Sequence, residues 1–336
     1  MTRRLSDQQK KRIAQIQEHR RQRSAAQAES ASSDDFAGEA QSGRVVVRHG
    51  SNLVLRAADG RVVPASFRAN LGEVVCGDNV VWQATENGQG VVTAVAPRVN
   101  ALSRPAFGGR DKAIAANLSL LVVVLAPEPE PSGFLVDQYL VAAQRIGIDG
   151  LLCLTKADLL DEAGRENFRQ RFALYEAIGY PVVQISSKQA HGLQPLLERL
   201  RGQTSILVGQ SGVGKSSLVN AMIADGPARE GSLSTSTGHG RHTTSAASLY
   251  SLASGGELID SPGVRSFRLG QLTQAELERG FREFLPYLGQ CRFHNCVHLA
   301  EPECAISAAE QHGALSATRL ATYRQLLGGA LATAVD

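Results

Sequence analysis

The spacing of apolar and polar positions changes near residue 100. Before that point, short β-branched runs alternate with turn residues such as Gly, Asn and Asp, a pattern typical of short strands. The predicted strands are 45–48, 53–57, 62–67, 79–83 and 91–95. Five strands in so short a stretch indicate a small barrel, and the OB-fold is the commonest barrel with five strands.

Barrels of this kind often bind single-stranded nucleic acid through basic grooves and aromatic platforms. Trp82 and Phe67 are candidate platforms, although a single tryptophan in a small barrel more often belongs to its core. The positive charge would come from Arg44, Arg48, Arg56, Arg61 and Arg68. These residues alone do not identify the ligand of the barrel.

From residue 117 onward, apolar strands alternate with helical segments, which predicts a mainly parallel α/β sheet. The strands are predicted at 118–125, 150–154, 181–185, 205–208 and 257–259, and the helices at 132–146, 193–201 and 217–223. Two later helices predict a small helical domain at the end. One begins after Thr273, which has Glu276 at the spacing of a capping box, and the other covers 316–327.

A Gly-x4-Gly-Lys-Ser sequence joins the strand 205–208 to the helix that follows it. Its glycines allow backbone N–H groups to surround a phosphate, and the helix N-terminus adds positive charge. Lys215 can reach the β- and γ-phosphates, while the Ser216 hydroxyl can bind Mg²⁺. The alternative is an ordinary glycine-rich turn. The predicted nucleotide-binding residues here are Gly209, Gln210, Ser211, Gly212, Val213, Gly214, Lys215, Ser216 and Ser217.

Two earlier strands end in sequences suited to recognising guanine. The first ends in Thr155-Lys156-Ala157-Asp158. The Asp158 carboxylate can accept hydrogen bonds from N1–H and N2–H₂ of guanine, and the lysine stem can pack on the base plane. The second ends in Ser186-Ser187-Lys188, which can close over the same base. A lysine and an aspartate in a strand-end turn are also ordinary, so the first string alone is weak evidence.

Two segments after the phosphate loop complete a site for Mg²⁺ and the γ-phosphate. The polar stretch 225–245 has no apolar period, and we expect a mobile loop with Thr244 or Thr243 as a Mg²⁺ ligand. Asp260 follows the last strand and can hold the Mg²⁺ shell. The Gly263 N–H can sense the γ-phosphate.

In an ordinary small GTPase the phosphate loop comes first and the base-reading motifs last. Here the base-reading motifs at 155–158 and 186–188 precede the loop at 209–216, so the order is circularly permuted. With this order, the Gly-Arg-His-Thr-Thr at 240–244 and a barrel upstream, the chain resembles the RsgA (YjeQ) family of ribosome-small-subunit-dependent GTPases. The resemblance covers roughly residues 44–325.

The resemblance implies a multidomain protein: a basic arm and linker at 1–43, an OB-fold barrel at 44–100, a circularly permuted P-loop GTPase domain at 101–270, and a helical zinc-binding domain at 271–336. It also implies a GTPase activated by the 30S ribosomal subunit, acting late in 30S maturation and binding 16S rRNA. GTP and GDP are the expected nucleotides.

Four metal-binding residue types lie together near the end of the chain as Cys291-x4-Cys296-x-His298-x5-Cys304. Three thiolates and an imidazole suit a closed tetrahedral zinc site that stabilises a segment too small for its own core. We therefore expect one structural Zn²⁺, and the family resemblance supports all four ligands. The alternative is buried free thiols, an interpretation that better fits Cys76 and Cys153.

Two positions depart from the usual GTPase pattern. Val264 stands where many GTPases have the glutamine that orients the attacking water. The resemblance implies that His242 takes this role, which makes His242, Lys215 and Thr244 the predicted catalytic residues. The alternative is a loop histidine without catalytic function. Thr155 replaces the usual asparagine of the guanine motif, a change expected to weaken nucleotide affinity without altering selection by Asp158.

Charge and hydropathy limit the remaining possibilities. The chain has 336 residues, 43% of them hydrophobic, and a net charge of +3. Residues 1–30 carry eight basic and three acidic side chains, so the positive excess lies in an arm with few apolar positions. That arm is either solvated or neutralises RNA phosphates. No segment has the length of a membrane span or the pattern of a secretory signal, so we expect a cytoplasmic monomer without membrane partners.

Two other functions use the same motifs. A nucleotide-gated RNA-binding assembly scaffold, with incidental hydrolysis, shares every binding residue. A P-loop ATPase or kinase explains residues 209–216 equally well but leaves Thr155, Asp158 and Lys188 without a role.

Overall fold

The computed structural model describes residues 38–105, 111–224, 247–261, 269–270 and 272–333. The described residues form two compact units, one with residues 38–99 and 247–249 and the other with the remainder. The predicted domain limits 1–43, 44–100, 101–270 and 271–336 stay a prediction.

The first unit contains the predicted five-stranded barrel, which is confirmed. Its strands are β1 (Gln41–His49), β2 (Asn52–Ala57), β3 (Val62–Phe67), β4 (Asn79–Ala84) and β5 (Gly90–Val95). They follow the order β1-β2-β3-β5-β4, and β4 pairs again with β1, so the sheet closes. The β3–β5 pair is parallel and the other pairs are antiparallel, which gives the closed five-stranded arrangement of an OB-fold.

Trp82 fills the centre of this barrel and is 1% exposed. Gly43 and Gly90 lie so close to the indole that a Cβ on either would be about 3 Å from the ring, at 3.0 and 2.9 Å respectively. The candidate role of Trp82 as an exposed platform is therefore wrong. Phe67 is only partly buried, and the Arg48 guanidinium lies 5.9 Å from its ring centroid.

The second unit is built on a parallel sheet. Its strands are β8 (Leu120–Leu125), β9 (Asp149–Leu154), β10 (Val182–Gln184), β11 (Thr204–Val208) and β13 (Glu257–Asp260), in the spatial order β10-β9-β8-β11-β13. Every neighbouring pair is parallel, as the alternating pattern predicts. All five predicted strands are present within two residues of their predicted limits.

Several elements of the structure were not predicted, among them the helix Ala305–Gln311. A hairpin of β6 (Ala101–Pro105) and β7 (Asp111–Ala116) precedes the parallel sheet. The short strand β12 (Ala247–Ser251) begins opposite β1, with Ser248 facing Val47. A 16-residue helix, Glu162–Ala177, follows the guanine motif and buries Phe168, Phe172 and Tyr175.

The helices are α1 (Gly133–Arg145), α2 (Glu162–Ala177), α3 (Gln194–Leu200), α4 (Lys215–Ala224), α5 (Gln274–Gly280), α6 (Ala305–Gln311) and α7 (Ala317–Thr333). The predicted capping box at the start of α5 is present, with Thr273 and Glu276 bonding each other's backbone N–H. A 3-10 turn, Arg282–Tyr287, follows α5. No helix in these described ranges is both long and apolar enough to cross a bilayer.

Helix α1 connects the parallel sheet to the C-terminal helices. Its Val141 belongs to the same buried cluster as Leu277 of α5 and Phe281. Gly280 packs so closely that a Cβ there would lie 2.7 Å from Val141 Cγ1. The C-terminal helices therefore share a core with α1.

A buried ionic cluster crosses the same interface. Arg319 of α7 is 1% exposed, and its guanidinium donates to Asp137 of α1 at 2.6 Å and to both carboxylate oxygens of Glu283 at 2.6 and 3.0 Å. The Tyr175 hydroxyl donates to Asp137 at 2.7 Å. Two carboxylates thus share one guanidinium, and removing that cation would leave buried negative charge unpaired.

Candidate functional site

The carboxyl ends of the parallel strands collect the predicted site residues at one edge of the sheet. The phosphate loop follows β11, the 155–158 motif follows β9, the 186–188 motif follows β10, and Asp260 ends β13. Because all these strands run in the same direction, segments distant in sequence meet at this edge. The structure thus places together motifs that the sequence presents in permuted order.

The phosphate loop has the backbone that its glycines predict. Gly209 adopts φ +140, and a Cβ there would collide with the carbonyl oxygen of Val124. Gly214 has φ +94, a conformation that favours glycine, and its carbonyl accepts from the Leu218 N–H at 2.9 Å in the first turn of α4. Lys215 Nζ donates to the carbonyls of Gly209 and Gln210 at 2.7 and 2.5 Å, so its side chain folds back across the loop.

Thr155 connects the guanine motif to the phosphate loop. Its hydroxyl is buried, 2.6 Å from the carbonyl oxygen of Val213 and 3.0 Å from that of Leu125. Lys156 stands beside it in the left-handed region, with φ 56, and its Nζ donates to Gly212 at 2.9 Å. Two residues of the motif therefore hold the loop directly, so threonine supplies a brace at the position where GTPases usually have asparagine.

The Asp158 carboxylate is fixed by the motif at the end of β10. The Ser186 hydroxyl donates to Asp158 Oδ1 at 2.7 Å, and Lys188 Nζ lies 3.8 Å from Oδ2. The Ser186 hydrogen bond and the nearby Lys188 charge lower the pKa of Asp158 below its ordinary value, so the carboxylate stays ionised at neutral pH. Ala157 is buried and its N–H donates to Ile185, whereas Ser187 is exposed.

Of the four predicted Mg²⁺ ligands, the structure describes Ser216 and Asp260. Ser216 and Ser217 are exposed in the first turn of α4, and Asp260 is partly buried at the end of β13. His242, Thr243, Thr244, Gly263 and Val264 lie outside the described residues.

Tyr139 of α1 is a contact to the phosphate loop that sequence reasoning missed. It is 3% exposed. Burial raises the pKa of its phenol, and a hydrogen bond from the Gly209 backbone N–H acts in the opposite direction. The apolar period of α1 predicts that Tyr139 is buried, but no pattern in the sequence reveals its partner 70 residues later.

The predicted metal ligands form a compact cluster. The Sγ atoms of Cys291, Cys296 and Cys304 and one ring nitrogen of His298 all lie within 4.8 Å of one another. His298 Nδ1 is 3.6, 3.4 and 3.3 Å from these three sulfurs, and Cys291 Sγ is 4.0 Å from Cys304 Sγ. A tetrahedral zinc site, with Zn–S about 2.3 Å and Zn–N about 2.0 Å, separates its ligand atoms by about 3.5–3.8 Å. The four residues can therefore hold a metal ion.

The protein environment prepares one thiol of this cluster for ionisation. At Cys304 burial opposes the thiolate, but hydrogen bonds from the Ser307 N–H and His298 outweigh it and lower the pKa to about 7. Burial raises the pKa of Cys296 to about 12. The Ala305 N–H also points at Cys291 Sγ, at 3.4 Å. The Cys304 thiol therefore ionises readily while the Cys296 thiol resists ionisation, and a bound cation would favour the thiolate form of both.

Comparisons with known proteins give consistent results. The family model described as RsgA GTPase matches residues 95–270. A small ribosomal subunit biogenesis GTPase RsgA of Pseudomonas aeruginosa (strain LESB58) is 44% identical to this chain over 329 residues, which are 97% of each protein.

Two solved structures are similar over most of their length. YjeQ from Thermotoga maritima superposes with a TM-score of 0.71 at 29% identity, covering 87% of this chain and 99% of that one. YloQ, described as a circularly permuted GTPase, gives a TM-score of 0.69 at 26% identity, covering 88% and 96% respectively.

Proposed function

This chain belongs to the RsgA GTPase family, and we propose that it hydrolyses GTP to GDP and phosphate in the biogenesis of the small ribosomal subunit. One observation carries the proposal. The Thr155 hydroxyl lies 2.6 Å from the carbonyl oxygen of Val213 and so joins the base-recognition motif to the phosphate loop. The residues for the base and those for the phosphates of one nucleotide are therefore in direct contact. That arrangement is better explained by a site for a guanine nucleotide than by the site of a P-loop ATPase or kinase. In an ATPase or kinase, Asp158 and Ser186 would have no role.

Each part of the nucleotide then has its own residues. Asp158 accepts from guanine N1–H and N2–H₂, with Ser186, Ser187 and Lys188 closing over the base. The loop from Gly209 to Ser217 binds the phosphates, and Lys215 leaves its carbonyl partners for the β- and γ-phosphate oxygens. Mg²⁺, as in other GTPases, would neutralise phosphate charge between Ser216, Asp260 and the hydroxyl of Thr243 or Thr244.

For the hydrolytic step, we assign His242 to orienting the attacking water, because Val264 has no hydrogen-bonding group. This assignment comes from the family resemblance. The Gly263 N–H reports the presence of the γ-phosphate, and Gly263 precedes the C-terminal helices in the chain.

The metal cluster is assigned one structural Zn²⁺ bound by Cys291, Cys296, His298 and Cys304. Soft thiolates with one imidazole favour zinc over Mg²⁺ or Ca²⁺, and no open coordination position is needed. A bound zinc ion contributes folding free energy to a segment with few helices of its own.

We assign the 30S subunit as the activating partner. The barrel, the zinc-binding segment and the basic arm would contact 16S rRNA. We also assign the protein to the cytoplasm, as a monomer. The relatives whose names refer to the small ribosomal subunit support this assignment.

The direct test is GTP turnover of the purified chain with and without 30S particles. We expect slow hydrolysis alone and a large increase with 30S. Lys215→Ala should abolish turnover in both conditions, while Lys112→Ala, which removes an exposed lysine from β7, should not change it. Equal rates with and without 30S particles would refute the ribosome-coupled function.

The remaining alternative is a nucleotide-gated assembly scaffold with incidental hydrolysis, which Val264 favours. A His242→Ala variant separates the two functions. If hydrolysis matters, this variant binds 30S with GTP and fails to leave, and its stimulated turnover falls. Unchanged stimulated turnover would remove His242 from the mechanism.

A further inference from the structure

His298 presents its two ring nitrogens to different partners. Nδ1 faces the three cysteine sulfurs at 3.3–3.6 Å. Nε2 points away from them and lies 3.3 Å from Oε1 of Glu278 on α5. Both side chains are enclosed, with 4% of His298 and 16% of Glu278 exposed.

This geometry fixes which nitrogen can carry a proton when a metal binds. A ligating nitrogen must be unprotonated, so binding through Nδ1 leaves the ring proton on Nε2. A buried N–H needs an acceptor, and ligating histidines generally donate this second N–H to a carboxylate or a carbonyl. Glu278 supplies that acceptor.

Glu278 is itself held in position. Gln274, one turn earlier on α5, donates from Nε2 to Glu278 Oε1 at 2.6 Å and to the backbone carbonyl of Cys296 at 2.9 Å. The same amide therefore connects Glu278 with the backbone of a second ligand, and α5 approaches the cluster through two side chains.

Two other carboxylates flank the ligands and have different partners. Glu301 accepts the backbone N–H groups of Val297, Leu299 and Ala300, which shapes the loop around His298. Glu303 adjoins Cys304 in sequence but is exposed and pairs with Arg292. Neither of these two contacts is with the imidazole.

We propose that Glu278 is the positioning residue of the metal centre: its carboxylate holds the His298 ring with Nε2 protonated and Nδ1 directed at the metal. The proposal rests on the metal site assigned above. It adds a fifth residue, from helix α5, to the four that bind the ion. Glu278 also raises the electron-donating power of the imidazole, because its negative charge stabilises the partial positive charge on Nε2–H.

Zinc affinity of the full-length chain tests this role, measured by competition with a chromophoric zinc chelator. We expect Glu278→Ala to weaken zinc binding about 10–100-fold, the usual cost of losing an outer-shell partner. Glu278→Gln keeps the shape and one acceptor oxygen, so its loss should be smaller. Glu303→Gln is the matched control, since it removes one negative charge beside a ligand without touching the imidazole, and it should bind zinc like the wild type.

A spectroscopic readout separates positioning from general stability. In the zinc-loaded wild type, the His298 Nε2–H proton should give an NMR signal protected from exchange with water. Glu278→Ala should lose that signal to rapid exchange while its helical circular dichroism is retained. If Glu278→Ala does not fold, Glu278→Gln is judged by the same two measurements.

Three results would overturn the proposal. Zinc affinity of Glu278→Ala within about twofold of wild type, with the Nε2–H signal retained, would show that Glu278 does not orient the ring. An equal loss in Glu303→Gln would show that net charge alone matters. A wild-type chain that binds no zinc would instead refute the metal site itself.

Discussion

At Asp158, single contacts determine both the position and the charge of the carboxylate. The Ser186 hydroxyl holds one oxygen at 2.7 Å, and Lys188 lies 3.8 Å from the other. Both contacts favour the ionised form, which is the form that accepts two hydrogen bonds from guanine. Base selection is therefore a property of one side chain that two neighbours orient.

We expect Asp158→Asn to exchange the base preference from guanine to xanthine, because an amide can donate to the carbonyl that xanthine carries at position 2. Hydrogen bonds to a charged group contribute about 1.5–3 kcal/mol, so GTP affinity should fall about 10–100-fold. Competition of GTP, XTP and ATP against a fluorescent GDP measures this change. Asp161→Asn, which alters the N-cap of α2, is the control, and an equal loss in both variants would contradict the assignment.

Glu276 gives a prediction for pH. The Thr273 backbone N–H and hydroxyl both donate to Glu276 Oε2 at 2.9 Å and lower the pKa of the carboxyl below its ordinary 4.5. The unfolded chain then binds more protons than the folded chain between these two pKa values, so stability increases with pH across that window. The contribution is complete above pH 4.5 and is lost as the pH falls through the folded-state pKa.

Thermal melting between about pH 3 and 6 tests this coupling. Glu276→Gln should show a weaker dependence of melting temperature on pH than the wild type. Glu198→Gln, which removes an exposed carboxylate from α3, should keep the wild-type slope. Identical slopes for all three proteins would show that protonation of Glu276 does not change the stability of the protein.

Among secondary-structure elements, helices α1 and α5 pack in close contact. Gly280 allows it, because a Cβ there would lie 2.7 Å from Val141 Cγ1. We expect Gly280→Ala to push α5 away from α1 and to lower the free energy of unfolding by about 1–3 kcal/mol. Denaturant unfolding measures the difference.

The matched control for this prediction is Gly328→Ala on the exposed side of α7. Among the residues that the structure describes, and apart from the backbone of α7 itself, no atom lies within 4 Å of the added Cβ, so the alanine should stabilise its helix by about 0.5–1 kcal/mol. Opposite signs for the two substitutions would assign the effect to the packing of α5 on α1. Stabilisation by both would contradict it.

Elements with a strong local pattern could be predicted from the sequence. The five barrel strands and the five parallel strands were found because β-branched runs stand between clear turn residues. The β6–β7 hairpin was missed because Ala and polar residues give it only a weak alternation. Helix α2 was missed although Phe168, Phe172 and Tyr175 have helical spacing, because its other positions are mostly charged or polar.

The contacts that organise the site were less predictable. Motif residues such as Asp158 and Lys215 follow from chemistry and spacing. The brace from Thr155 to Val213 spans 58 residues and the bond from Arg319 to Asp137 spans 182, so neither leaves a local signal. Glu278 was missed because no pattern in the sequence links a glutamate on a largely polar helix to His298.

At the scale of the whole molecule, the metal centre and the barrel belong to separate compact units. Removal of zinc should therefore unfold the segment 291–304 and loosen α6 without affecting the barrel core. Hydrogen exchange with and without a chelator measures this: we expect protection to fall in the C-terminal segment and to stay unchanged at Val45 and Leu55. Unchanged exchange at 291–304 after complete zinc removal would contradict a structural metal.

The Arg319 cluster has a consequence for how the protein is made. Asp137 belongs to a helix next to the phosphate loop, but its cation is 182 positions later in the chain. During synthesis the ribosome therefore produces most of this GTPase before the charge beside that helix can be neutralised. A nascent chain that ends before α7 should remain a substrate for chaperones, because it lacks the arginine that neutralises Asp137.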